Sequence, residues 1–334
     1  MEVTTSLDQD KWKDFVDSHP LGNIFQTPEM AEVYKKTKNR EPLLLAVKNK
    51  SGDVLALMLA VIIKYLRGPW STFTSRAIVQ GGPLYVEGQT GNNALKLLIK
   101  EYDRIMQKYT LITEIRNLWD VSHIRPLLED NEYNFEEHLN FLIRLDRSKE
   151  EIWRNIHKSR RKGINRAFKK GVVVERVKNK KYLPKIYNLL KETYTKAKIP
   201  LADFSLFESA FDVLLPNKMA KFYVAKLNNS IVATRIILNY KGLVYDWYAG
   251  SSKNYSNYYL NEAIIWHILE EHAGREFHTF DFGGAGKPNE EYGVREFKRR
   301  FGGRMVNFGR FIRIYSPIKL KIAKSLFSIY RRIL

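Results

Sequence analysis

The sequence predicts an α/β (α+β) fold of two tandem, similar domains, each built on a mixed sheet. Three observations carry that expectation. The chain has 334 residues, 44% apolar and 13% aromatic, enough for one large core or two ordinary ones. One strand-and-helix pattern is written twice along it. The spacing between the two copies stays nearly constant from element to element.

Taken in order, the first copy opens with Leu44 to Ile63, which reads as two apolar strands around the turn signal Asn49-Lys50-Ser51-Gly52-Asp53. From Asn92 the chain carries apolar residues at intervals of three and four, a helix, followed by a short strand ending near Asn117. The second copy repeats this. Phe222 to Tyr240 is a hairpin around Asn228, Asn229 and Ser230, Asn261 opens a helix, and Phe277 to Phe282 is the strand after it. The domain boundary is expected near Asp146-Arg147-Ser148, giving residues 1–147, residues 148–316 and a basic amphipathic tail over 317–334. The order hairpin, strand, helix, strand is that of a GNAT-type (acyl-CoA N-acyltransferase-like) domain, an analogy that needs support from a site.

Charge narrows the function. Against 36 acids stand 56 Lys and Arg, a formal net charge of +20. Residues 154–181 hold 12 basic groups and only Glu175, and residues 293–334 hold 12 more and only Glu296. The remainder is near balance, so the excess marks polyanion sites rather than a uniformly basic surface. The chain has no cysteine, which excludes disulfides, thiolate nucleophiles and thiolate zinc sites. Its seven histidines follow no HExxH or other ligand spacing, so no metal is expected. Ser251 and Ser252 lie outside any GxSxG elbow and read as turn or cap residues. The first twenty residues lack an apolar signal core, and Val54 to Ile63 is too short for a span of about 20 residues, so a cytoplasmic protein is expected.

Ser148 with Glu150 and Glu151 signals the start of a helix. If that helix runs on through Gly163, a helical wheel puts Arg160 in the middle of the apolar arc formed by Ile152, Trp153, Ile156, Ile164, Ala167 and Phe168. A charge so placed calls for an anion, either a carboxylate or a ligand phosphate. Further on, Phe277 to Phe282 ends at Gly283-Gly284, and Glu290 to Arg300 forms a short helix carrying Phe297 and Lys298, stopped by Gly302-Gly303.

These segments resemble the FemAB family of peptidoglycan-bridge aminoacyltransferases, tandem-GNAT enzymes. The matching stretches are FQTPEMAEVYKKTK, HKSRRKGINRAFKKGV, YAGSS followed by YLNEAIIWHIL, the DFGG strand end, and YGV before FKRRFGG. The resemblance implies transfer of an amino acid from aminoacyl-tRNA to an amine of a phosphorylated, nucleotide- or lipid-linked envelope precursor. It implies that Lys298, in the pair Phe297-Lys298, stabilises negative charge during acyl transfer. It assigns precursor phosphates to Arg160 and to Lys35 or Lys36. Tyr248 is the candidate for lining the amine and donor channel, with Trp247 and Tyr245 as fallbacks because neighbours on a strand face opposite ways. Asp281 is a candidate base and Asp246 its alternative. Where acetyltransferases place a glycine-rich pyrophosphate turn, this chain reads GSSKNYSNYYLNEA, so acyl-CoA is disfavoured and no cofactor is expected beyond the aminoacyl-tRNA donor. Residues Tyr182 to Pro216 read as two modest helices separated by Pro200. The tail, with Ile318, Ile322, Leu326, Ile329 and Ile333 at helical spacing, either docks on the second domain or lies peripherally on an anionic membrane surface at its inner face. Two other readings stay open: an acyl thioester-dependent N-acyltransferase acting on a sugar or lipid amine, and a noncatalytic RNA-binding protein.

Overall fold

The computed structural model describes residues 1–64 and 75–322. The chain divides into two compact units, Met1–Glu137 together with the chain from Phe308 onward, and His138–Asn307.

In the first unit, β1 (Glu2–Thr4), α1 (Gln9–Ser18) and α2 (Pro28–Lys35) precede the expected hairpin of β2 (Arg40–Lys48) and β3 (Val54–Lys64). The turn closes through the side chain of Asn49, which accepts from the Asp53 amide, with Gly52 at φ +85°. Residues 55–63 of β3 are all buried, as expected for a strand covered on both faces. Then come β4 (Ser75–Gln80), β5 (Leu84–Tyr85), α3 (Gly88–Tyr109), β6 (Ile112–Arg116), α4 (Arg125–Asp130) and β7 (Asn134–Glu136). Helix α3 buries Ala94, Leu95, Leu98, Ile99, Tyr102 and Met106 against the sheet and carries the chain from β4 to its parallel neighbour β6.

The second unit starts with β8 (Leu139–Arg144), α5 (Lys149–Asn155), α6 (Lys158–Lys169), β9 (Val173–Arg176), α7 (Leu183–Lys196) and α8 (Phe204–Val213). The second hairpin is β10 (Ala220–Leu227) and β11 (Ser230–Tyr240), turning on Asn228 and Asn229, both at positive φ. Next follow β12 (Leu243–Ser251), α9 (Leu260–His272), β13 (Thr279–Gly284), α10 (Gly293–Arg299) and β14 (Arg304–Asn307). The described strands run in the order β14-β8-β13-β12-β11-β10-β9, with β12 and β13 parallel and joined through α9. The last described strand, β15 (Arg310–Ile314), returns to the first sheet, whose order is β1-β2-β3-β4-β6-β15-β7.

Three expectations differ from this. Strand β8, expected in residues 1–147 of the first domain, pairs with β13 and β14 in the second sheet. Strand β15, expected within residues 148–316 of the second, pairs with β6 and β7 in the first. Each is a short strand taken into the interior of a sheet, and the choice is made by burial: Phe141 and Ile143 in one core, Phe311 in the other. The single helix expected after Ser148 is two. Ser148 and Glu151 do form a capping box, but Ile156 and His157 take extended backbone, and His157 caps a new helix that then continues through Gly163. A Cβ at Gly163 would lie 2.9 Å from the Tyr259 ring, so glycine there buys close packing of α6 under Tyr259. Two modest helices do flank Pro200, as α7 and α8. Of the tail, Ile318 and Ile322 are exposed, while Leu326, Ile329 and Ile333 lie outside the described residues. Among the described residues no helix is long and apolar enough to cross a membrane.

Candidate active site

Strands β12 and β13 pair only from Leu243 to Tyr245 against Thr279 to Asp281. Past that point Gly283 turns at φ +67°, and the strand-end carbonyls need other donors. Lys298 on α10 supplies them. Its Nζ lies 2.6 Å from the Phe282 oxygen, 3.3 Å from that of Gly283 and 2.8 Å from that of Gly284. Burial pushes the Lys298 ammonium down to about 8, opposed by the carboxylates of Asp246 and Asp281.

Those two carboxylates are each half-satisfied. Asp281 is fully buried, and its Oδ1 accepts from Asn140 Nδ2 and from the Gly283 amide, both at 2.6 Å. Its Oδ2 is buried with no hydrogen-bond partner among the described residues, and burial raises the carboxyl to about 6. Asp246 accepts from Arg235 through Oδ2, while its Oδ1 is buried without a partner. Burial raises this carboxyl too, outweighing the Arg235 guanidinium. A buried cation facing carboxylates with spare lone pairs can hold a developing negative charge and accept a proton nearby.

The anion demanded by Arg160 is a carboxylate: it donates to Glu262 on α9 at 2.6 Å. Its guanidinium also sits 4.3 Å over the Phe297 ring, and its Nε is buried without a partner. Phe297 in turn packs on Phe301, which meets Phe282. Arg160, Phe297, Lys298, Asp281 and Asp246 are thus brought together in the second unit. Tyr245 stands opposite Asp281 in register, with its hydroxyl against Gly283. Tyr248 packs against Phe207 of α8 at 4.8 Å and Tyr194 of α7 at 5.7 Å.

The alternation that ranked Trp247 and Tyr248 on opposite faces fails. Register shifts between Ile236 and Ile237, so Trp247 is an extra residue and its ring lies 5.0 Å from that of Tyr248. Lys35 and Lys36 belong to the first unit, at the end of α2. Lys36 pairs with Glu32 at 3.2 Å and Lys35 is exposed. Arg235, Asn140 and Tyr194 are site residues that sequence reasoning missed. A lone arginine inside the apolar run Ile231 to Leu238 was the available signal for the first, whereas nothing local marks the other two. Among the described residues no group of three or more His, Asp or Glu is placed to hold a metal ion.

Residues 154–299 match the family described as an acetyltransferase (GNAT) domain, and the chain is therefore an acyltransferase whose second unit holds that domain. In fold it is similar to FemX, whose crystal structure aligns over 97% of this chain and 100% of its own at 18% identity and a TM-score of 0.72. It is similar to a tandem GNAT protein from the clavulanic acid biosynthesis pathway (95% and 99% covered, 9% identity, TM-score 0.59). A putative lysylphosphatidylglycerol synthetase from Agrobacterium fabrum is also similar through its C-terminal domain (95% and 94% covered, 14% identity, TM-score 0.54). No curated protein matches the chain in sequence. The chain thus has the tandem GNAT fold of these proteins.

Proposed function

We propose that the protein transfers an amino acid from aminoacyl-tRNA to an amine of a cell-envelope precursor. The observation that carries this reading is the buried Lys298 ammonium at the point where β12 and β13 cease to pair, flanked by Asp246 and Asp281. An aminoacyl ester is already activated, so the site needs to orient the amine, stabilise the oxyanion and move one proton. The amine nitrogen bonds to the ester carbonyl carbon, the bond to the ribose oxygen breaks, and the proton lost by nitrogen ends on that leaving oxygen. Lys298, charged below about pH 8, offsets the tetrahedral oxyanion. The spare Oδ2 of Asp281 is the candidate station for the proton.

Three further observations support the donor and acceptor. Lys158, Arg161, Lys162 and Lys169 of α6 form no ion pair among the described residues, as a surface for polyanions requires. The start of α9, where an acyl-CoA pyrophosphate would need bare amides, follows a left-handed Tyr259 held by Arg166 at 3.3 Å rather than a glycine-rich turn. The fold is shared with FemX and with a putative lysylphosphatidylglycerol synthetase. Incubation of the full chain with charged tRNA and envelope-precursor amines tests the proposal. Transfer that fails with every pair while tRNA still binds would reject it. The acetyltransferase character of the matched family keeps an acyl thioester donor as the second reading. Acylation of a sugar or lipid amine from acyl-CoA, without tRNA, would favour it.

A further inference from the structure

A cavity elsewhere in the second unit has a different character. It has a volume of about 180 Å³ and lies among β8, α5 and the turn between α10 and β14. Its walls include the buried apolar side chains of Ile143, Ile152 and Phe301, and three arginines, Arg144, Arg147 and Arg304. The close approach that shapes it depends on Gly302, at φ +82°, where a Cβ would fall 2.3 Å from the Asn155 carbonyl oxygen. Arg144 is occupied, its Nε donating to Asp146 at 2.9 Å. Glu151, the other acid nearby, is tied to Ser148 in the capping box. Arg147 and Arg304 make no ion pair or side-chain hydrogen bond among the described residues, although the Arg147 charge also acts on the carboxylates of Asp146 and Glu151.

We propose that this cavity binds a phosphate group, independently of the donor and acceptor readings above. Two guanidinium forks on one small hollow, neither ion-paired with a carboxylate among the described residues, suit a phosphate, which carries more oxygens and more charge than a carboxylate. The phosphate is either free, as inorganic phosphate or a phosphomonoester, or part of a nucleic-acid backbone.

Calorimetric titration of the full chain with sodium phosphate, and separately with a short single-stranded RNA, tests this against sodium chloride at equal ionic strength. Expected results are phosphate binding absent with chloride, weakened about tenfold by Arg147→Gln or Arg304→Gln and abolished by both. Loss confined to the RNA titration assigns the site to a phosphodiester, and loss in both assigns it to phosphate in either form. Arg304→Lys keeps charge without the fork and should recover only part of the affinity. Arg304 is exposed on an edge strand, so folding of each variant is checked by its ligand-free melting curve. Binding of neither phosphate nor RNA beyond chloride, or binding of both left unchanged in the folded double variant, overturns the proposal.

Discussion

The two units write the same parallel strand pair differently. In the first, β4 and β6 stay paired over all five residues, Arg76 to Gln80 against Ile112 to Arg116, and the Gly81 amide adds a further bond to the Arg116 oxygen at 2.8 Å. Fully buried Gln26 seals that end: its Oε1 accepts from the Leu59 amide at 2.7 Å and its Nε2 donates to the Gln80 oxygen at 2.8 Å. In the second, pairing of β12 with β13 stops after three residues and Lys298 takes the freed carbonyls. The third paired residue of the outgoing strand is acidic in both, Glu114 and Asp281. Burial would raise Glu114, but Arg116 and Arg310 outweigh it and hold the carboxyl down to about 2. Among the described residues no guanidinium bonds Asp281, and it stands at about 6. One scaffold spends its strand end on backbone and salt-bridge satisfaction, and the other leaves a buried cation and spare lone pairs there for chemistry.

If this contrast is functional, Lys298→Met should lower kcat roughly 100-fold or more, the usual cost of losing one oxyanion stabiliser. Glu114→Gln in the first unit should leave kcat within about twofold, with both variants followed in the same transfer assay. The effect of the Glu114 change falls on stability. Glu114→Gln should cost on the order of 3 kcal/mol at pH 7 by denaturant titration, since its carboxylate is stabilised by about two and a half pH units. That contribution is present above its unfolded value near 4.5 and is lost as pH falls toward 2. Asp281 runs the other way. Its folded value is raised, so the native state binds more protons between about 4 and 6 and loses stability as pH rises through that window. Asp281→Asn should therefore not destabilise at pH 7 as Glu114→Gln does.

Gln26→Ala should cost about 2–3 kcal/mol, because it strands the Leu59 amide and Gln80 carbonyl in the core. Transfer activity per folded molecule should survive it, and a parallel collapse of kcat would erase the division of labour between the units. The smallest effect is on the pH profile, expected as a plateau between about 6 and 8, bounded by Asp281 ionising below and Lys298 losing its proton above. Asp281→Asn removes a negative neighbour of Lys298 and should shift the alkaline limb down by less than about one unit. A limb that rises above pH 8 instead would make Lys298 a base.

Much of the scaffold was legible because it rests on local signals. The hairpin turns at Asn49 to Asp53 and at Asn228-Asn229, the amphipathic helices α3 and α9, and the short helix bearing Lys298 all follow from residue type and spacing. The need of Arg160 for an anion was also readable, although the expectation left carboxylate and phosphate equal and Glu262 meets it. The Asn140 contact with Asp281 joins residues 141 apart, and no local pattern announces it. The extra residue at Trp247 likewise leaves no mark in a run of alternating aromatics.

By itself the sequence determined the repeated α/β pattern, the two basic stretches and the residue types at the strand end, since these depend on short-range periodicity and composition. Only the tertiary structure decided which sheet takes β8 and which takes β15, and which of two equivalent strand ends stays unsealed. Those outcomes turn on burial and hydrogen-bond satisfaction between segments far apart in the chain, where many pairings are locally equal and the packed core selects one.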